Sequence, residues 1–256
     1  MRLIRLLIIL IVLFIGTTAF AYKDHKSQLV NKLIKAGAGK DIVVATFRDS
    51  RLKTYPELLK SIKGDGYNYF DPVNGILTEE SLCRGKMVLA ENAWLLDQIE
   101  SEYGIRKEVL VSIFRVETNL GKHTGRYIVT NSLYTWATSG TRRAKWAENE
   151  LLYYLKMCRV YQYDPFSIYG STHGAFGLVQ FIPSSFWMFA VDGDKDGIVD
   201  LFNFHDAMSS VANYLSKHAT GKYPMRNAIY AYNHQMPYVE AVLAYANVIS
   251  LNRVGN

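Results

Sequence analysis

Apolar residues recur at helical spacing along most of this chain. Leu29, Val30, Leu33 and Ile34 form a one-sided stripe that predicts a helix over 27–36. A second, short helix is expected from Tyr55, with Pro56 in its first turn, where a missing N–H costs no hydrogen bond, and Leu58, Leu59 and Ile62 on its apolar face. Thr78 then stands as N-cap of a long helix to about Tyr103. Glu79 and Glu80 fall in its first turn, where the helix dipole favours acids, and Gly104 ends it. The same period predicts helices over 107–120, 143–161, 206–218 and 224–249, the last broken between Asn233 and Pro237. No segment alternates apolar and polar residues long enough to predict a strand, so the expected class is mainly α.

Two stretches depart from this pattern. Between Gly64 and Gly75 the composition shifts to Gly, Asn, Asp, Pro and Tyr, which predicts a linker. It would divide a small helical extension and linker over 22–75 from a larger helical domain over 76–256. The first 21 residues combine Arg2 and Arg5, an apolar run from Leu6 to Ile15 and small side chains at Ala19 and Ala21. That is the layout of a signal peptide, and it predicts export with cleavage after Ala21; an uncleaved signal anchor is the alternative. No later stretch is apolar for long enough to span a membrane.

Composition narrows the picture further. With 256 residues, 49% hydrophobic and 20% charged, the chain has the makings of a packed core and is not a disordered or low-complexity segment. The net charge of +6 falls to +4 once Arg2 and Arg5 are lost, and Lys and Arg are interspersed with acids. This excludes the concentrated basic face of a nucleic-acid binder and suits an anionic partner such as a cell wall. Cys83 and Cys158 have neither redox-motif nor metal-ligand spacing, and either pair or remain separate thiols. Gly174 to Gly177 lacks the context of a phosphate loop. Its small residues predict close approach of the backbone to a substrate.

One residue breaks the amphipathic order. In 107–120, Val109, Ile113, Val116 and Leu120 share a narrow arc, with Glu108, Ser112, Arg115 and Asn119 opposite. Glu117 lies between Ile113 on one side and Leu110 and Phe114 on the other, on the apolar half. Either it reaches the edge of the stripe and pairs with a basic residue, or it is desolvated. Desolvation raises a carboxyl pKa and keeps the group protonated near neutral pH, as a general acid requires.

The stretch Glu102-Tyr103-Gly104-Ile105 … Val116-Glu117-Thr118-Asn119-Leu120-Gly121 resembles the lytic murein transglycosylase B family, whose members cleave bacterial peptidoglycan. Further matches follow in order: Arg142-Arg143-Ala144, Gly170-Ser171, Gly174 through Ser185, Ala190-Val191-Asp192, Ser210 through Leu215, and Tyr232-Asn233-His234. The resemblance runs from about Gly85 to the C-terminus. It implies a lysozyme-like helical catalytic domain over 76–256, with Glu117 as acid and then base and a 1,6-anhydro sugar as product. It places Arg142, Arg143, Ser171, Gln180, Tyr232, Asn233 and Tyr238 along the glycan cleft, where hydroxyl, amide, guanidinium and aromatic groups suit sugar recognition. Taken singly, Ser171 and Gln180 equally suit loop bracing, and Tyr232 suits a core.

Asp192, Asp194 and Asp196 alternate ahead of Gly197 and the Ile198 carbonyl, which is the opening of an EF-hand-like calcium loop. Position twelve is Asn203 in place of the usual Glu. The family closes a longer loop with an Asp, and Asp206 stands there, which implies structural Ca²⁺; an Asp-rich turn without metal is the alternative. No organic cofactor is expected. Only 16 residues separate Leu215 from Tyr232, where many members of the family carry a strand-containing insertion. A hydrolytic muramidase would need a second carboxylate, for which Asp164 is the nearest candidate, and a non-catalytic wall-binding protein would not need Glu117. The expectation is an exported, monomeric enzyme acting on peptidoglycan strands.

Overall fold

The computed structural model describes residues 26–60 and 67–250; the signal-peptide segment 1–21 and Ile62 lie outside the described residues. In chain order the helices begin with α1 (26–35), α2 (Lys40–Arg48), α3 (Glu57–Lys60), α4 (Glu79–Glu91), α5 (Ala93–Tyr103) and α6 (Lys107–Thr118). A two-residue strand β1 (Tyr127–Ile128) leads into α7 (Val129–Ala137) and α8 (Ala144–Val160), and β2 (Tyr169–Gly170) pairs with β1 antiparallel, Tyr127 opposite Gly170. Helices α9 (Pro183–Phe189), α10 (Phe204–His218), α11 (Pro224–Tyr232) and α12 (Met236–Ser250) complete the chain. The mainly α expectation holds, and the break between α11 and α12 falls where Asn233 and Pro237 predict it.

Helix α6 is the axis of the larger part of the fold. It packs against α4, α5, α10 and α12, so its apolar arc and its polar face are both covered. Leu110 and Ile113 are fully buried, but so are Lys107, Glu108, Ser112 and Arg115. Covered polar groups need partners, and the neighbouring helices supply them. The Ser112 hydroxyl donates to the Val242 carbonyl (2.7 Å) and Arg115 Nε to Ser81 Oγ (2.6 Å), while Lys107 pairs with Asp97. A wheel separates the two faces of such a helix; it does not reveal that both are enclosed.

The single helix expected from Thr78 to Tyr103 is two helices. Asn92 takes non-helical dihedrals (φ −113°, ψ 22°), and its side-chain amide donates to the Val88 carbonyl (3.0 Å), competing with the helical ladder. Helices α2, α7 and α9 and the short ladder were not among the elements predicted. In α7 every residue is buried, so its polar positions do not mark a solvent-facing side. Its polar side chains instead hold the 51–55 loop: Asn131 Oδ1 accepts from Lys53 N (3.1 Å), Asn131 Nδ2 donates to the Arg51 carbonyl (3.1 Å), and Thr135 Oγ1 accepts from Tyr55 N (2.8 Å). Leu29, Leu33, Val43, Phe47 and Leu58 of the first three helices accordingly share one continuous core with α6, α7 and α8.

The described part of the expected linker is a hydrogen-bonded turn. Asp71 Oδ1 accepts from Val73 N (3.0 Å) and Asn74 N (2.6 Å), and Ile76 N donates back to the Tyr69 carbonyl (2.8 Å). Cys83 is exposed and Cys158 buried, and the two are separate thiols; burial pushes the Cys158 thiol up to about 12. The glycines at 174 and 177 are required by packing. Both have positive φ (77° and 79°), and a Cβ would strike Leu133 at the first and Leu201 at the second.

Candidate active site

Glu117 stands in the last turn of α6, where burial becomes partial at Val116 and Glu117. Asn119 ends the helix in the left-handed conformation (φ 54°). Arg84 clamps this cap, donating from Nη1 to Asn119 Oδ1 (3.0 Å) and from Nη2 to its carbonyl (2.7 Å). Thr118 Oγ1 donates to the Leu178 carbonyl (2.8 Å), which fixes the Gly174–Gln180 loop against the same turn. The acid therefore sits immediately ahead of two anchored residues.

Glu117 is partly exposed as a residue, yet its carboxyl is desolvated enough that burial raises its pKa from 4.5 to about 7, against the lowering effect of a hydrogen bond from Tyr238. The Tyr238 hydroxyl donates to Glu117 Oε1 at 2.6 Å. Tyr238 is itself 1% exposed, so its ring lies beneath the acid with little surface of its own. Tyr232 stacks on it (centroids 6.4 Å, 10°) and Tyr69 meets it edge-on (6.2 Å, 84°). Burial, then the charge of Glu117, raises the pKa of all three phenols and keeps them neutral donors. No carboxylate among the described residues contributes to the Glu117 shift. Of the two alternatives for Glu117, the desolvated acid is the one found.

The remaining cleft residues divide into two groups. Gln180, at φ 51°, donates from Nε2 to the Thr124 and Gly177 carbonyls (both 3.0 Å), and the Tyr232 hydroxyl donates to the Val179 carbonyl. Gln180 and Tyr232 line a cavity of about 500 Å³ together with Tyr214 and His218. Asn233 ends α11 with extended dihedrals. The second group is basic and aromatic. Arg143 contacts His173 Nε2 (Nη1, 2.7 Å) and lies over Trp136, on which His173 stacks (5.1 Å, 13°). Ser171 joins it through Oγ, which accepts from His173 N (3.2 Å) and Ala175 N (3.0 Å); Arg142 is exposed beside it. Ser171 and Gln180 thus brace loops at the cleft. Arg84, His173 and Trp136 were not singled out from sequence, and Tyr69 lies in the stretch that composition predicted as a linker. The signal for Tyr69 is an aromatic inside an Asp/Asn/Gly turn.

Asp164 is not a partner of Glu117. Arg51 Nη1 holds its Oδ2 at 2.6 Å and keeps its pKa low, and Oδ1 accepts from Phe166 N (3.0 Å). In the acidic loop, Asp192, Asp194 and Asp206 place ligand oxygens within 4.8 Å of one another. The carboxylate of Asp196 accepts from Ile198 N (2.8 Å) and stands outside that group. Asp206, 1% exposed, accepts from Gly193 N and Asp200 N (both 2.7 Å) and so closes the loop.

A helical scaffold presenting one desolvated acid beside a phenol hydroxyl is of the lysozyme-like class, as its likeness to solved structures also shows. Residues 21–223 match the family described as "Transglycosylase SLT domain", and the chain belongs to that family. It is 35% identical over 142 residues to membrane-bound lytic murein transglycosylase B of Escherichia coli (strain K12), an alignment covering 56% of this chain and 39% of that one. The chain therefore matches about two fifths of the length of this curated relative. Among solved structures, soluble lytic transglycosylase SltB1 from Pseudomonas aeruginosa superposes with a TM-score of 0.81 at 25% identity, over 90% of this chain and 99% of the other. Escherichia coli lytic transglycosylase Slt35 in complex with calcium gives 0.80 at 23%, over 90% and 94%.

The raised acid has a stability consequence. The native state keeps the Glu117 proton up to about pH 7 while the unfolded chain releases it near 4.5. Stability contributed by this group is therefore complete below pH 4.5 and lost as pH rises through 7, a loss of about 3 kcal/mol from a shift of this size. Glu117→Gln has no such titration. Denaturant unfolding should show the variant close to the parent at pH 4.5 and more stable than it at pH 8; equal differences at both pH values would contradict a desolvated carboxyl.

Proposed function

We propose that this chain is a peptidoglycan lytic transglycosylase that cleaves the β-1,4 bond between N-acetylmuramic acid and N-acetylglucosamine. The observation that carries the reading is Glu117, a carboxyl with a pKa raised to about 7, hydrogen-bonded by Tyr238 and with no second acid among the described residues contributing to its shift. Protonated Glu117 gives its proton to the glycosidic oxygen as the bond breaks toward an oxocarbenium-like state. The resulting carboxylate takes the proton of the muramic acid C6 hydroxyl, which closes onto C1 to form the 1,6-anhydro ring. The nucleophile belongs to the substrate, so proximity replaces an activated water. Hydrolysis on the same scaffold requires a second carboxylate, and the engagement of Asp164 by Arg51 speaks against it.

In this reading Tyr232, Gln180, Asn233 and Ser171 hold sugar rings and N-acetyl groups, and Arg142 and Arg143 face the anionic parts of the substrate. Tyr238 tunes the acid from beneath. The chain acts as an exported monomer, with 1–21 as its signal peptide and 76–256 as the catalytic domain. The relative in Escherichia coli is membrane-bound by name. No helix among the described residues here is long and apolar enough to cross a membrane.

Mass analysis of fragments released from purified peptidoglycan tests the reaction. Products should be lighter than hydrolytic ones by one water and lack a reducing end, and Glu117→Gln should abolish turnover while glycan binding persists. Reducing-end muramic acid as the main product would instead establish a hydrolase.

Activity should fall as pH rises through about 7, because the proton to be donated is lost there. The Tyr238 hydrogen bond favours the charged carboxylate, so Tyr238→Phe should raise the pKa of Glu117 and move this falling limb to higher pH. A limb that stays in place would separate the tyrosine from control of the acid.

The acidic loop fits a hard divalent cation. Asp192, Asp194 and Asp206 converge, and no Lys or Arg among the described residues forms an ion pair with them. Slt35 was solved with calcium, and we assign Ca²⁺ to these carboxylates, with Asp196 and the Ile198 carbonyl completing the oxygen set. Its role is to hold the turn into α10. Binding to the native state alone would add about 2.7 kcal/mol at a hundredfold excess over Kd. Calorimetry should show a higher Tm with Ca²⁺ than with chelator, and an unchanged Tm in saturating Ca²⁺ would count against the site.

A further inference from the structure

On the flank of α6 that carries Arg115 and Asn119 lies a polar cavity that the proposed reaction does not use. Residues 73–75, the first turn of α4 and the end of α6 enclose about 220 Å³, lined by the basic side chains of Arg84, Arg115 and Lys122. Glu80 is the acidic residue among its walls, and it is exposed. Arg115 is only 9% exposed. Its acceptors are neutral, Ser81 Oγ at 2.6 Å and the Gly75 carbonyl at 3.5 Å, with the Tyr67 hydroxyl alongside. Arg84 likewise donates to neutral groups, the side chain and carbonyl of Asn119. Among the described residues no carboxylate forms an ion pair with Arg84, Arg115 or Lys122.

Withdrawing a guanidinium from water without a counter-anion is unfavourable. Here burial, reinforced by the charge of Arg84, pulls the Arg115 pKa below its ordinary value. A guanidinium has five N–H donors, and Arg84 and Arg115, both lining the cavity, each use two nitrogens on these protein acceptors. The N-terminus of α4 adds the favourable end of its dipole. We propose that this cavity binds a compact oxyanion, a carboxylate or phosphate, between Arg84, Arg115 and Lys122. The anion is either free in solution or, on the reading that the substrate is peptidoglycan, a carboxylate of the peptides that the glycan carries. The turn at 67–75 joins the two places: Tyr69 touches Tyr238 at the acid, and the Gly75 carbonyl touches Arg115 at the cavity.

Titration calorimetry of the full chain with inorganic phosphate at low salt tests the site, with saturable binding at one site expected. Lys122→Gln should weaken it about threefold to fivefold, the size of one partly exposed charge contact. Lys122→Arg should restore it, Glu80→Gln should tighten it by removing a competing negative charge, and Arg142→Gln should leave it unchanged. Absence of saturable binding, or loss in Arg142→Gln in place of Lys122→Gln, overturns the proposal. Glycan strands with and without their peptides, offered to Glu117→Gln protein so that nothing is cut, then identify the source. Weaker binding of Lys122→Gln, Glu117→Gln protein to peptide-bearing strands alone puts the anion on the substrate, whereas phosphate binding without that difference assigns a free anion. The readout is binding, so a chain that takes phosphate and cuts no glycan keeps this site and loses the proposed activity instead.

Discussion

Enclosure of α6 on every side is the constraint from which the site follows. Helices α4, α5, α10 and α12 surround it, and a helix buried on both its apolar and polar faces must find partners for each polar side chain. Ser112, Arg115 and Lys107 obtain them from α12, α4 and α5. These directional contacts fix the rotation of the helix as well as its position. Only in the last turn does burial become partial, at Val116 and Glu117.

The acid is poised by two opposed effects. Desolvation raises its pKa, and the hydrogen bond from Tyr238 lowers it, with the balance near neutrality. The two residues are 121 positions apart in the chain, so the balance exists only when α12 has docked against α6. Tyr69 and Tyr232 then close the apolar surroundings with rings whose hydroxyls stay neutral. A carboxyl held this way weakens the fold at alkaline pH, a cost in stability of the kind that accompanies many functional sites.

The Gly174–Gln180 loop is held in place by hydrogen bonds to α6, to α11 and to the Thr124 backbone. Thr118 ties α6 to Leu178, Gln180 ties the loop to Thr124, and Tyr232 ties it to Val179. Gly174 and Gly177 allow the loop to lie against Leu133 and Leu201. Bracing and substrate contact are therefore compatible for Ser171 and Gln180: a side chain whose hydrogen bonds fix its own loop is also held still for a ligand.

The sequence by itself determined the helical class, most helix positions, the acid out of place on an apolar face and the ordered motifs that resemble a family. These are local properties, set by the 3.6-residue period and by caps such as Thr78 and Gly104. The break at Asn92 and the seven-residue α9 leave little trace in the helical period, and the polar side chains of α7 are buried, whereas α2 does carry an apolar stripe at Val43 and Phe47. Tertiary structure alone decided that Glu117 is desolvated rather than paired, that Tyr238 lies beneath it, that Asp164 belongs to Arg51, and that Cys83 and Cys158 stay apart. Each depends on which distant element packs nearby. Periodicity along one chain cannot encode that, because desolvation and hydrogen bonding are properties of a side chain's whole surroundings.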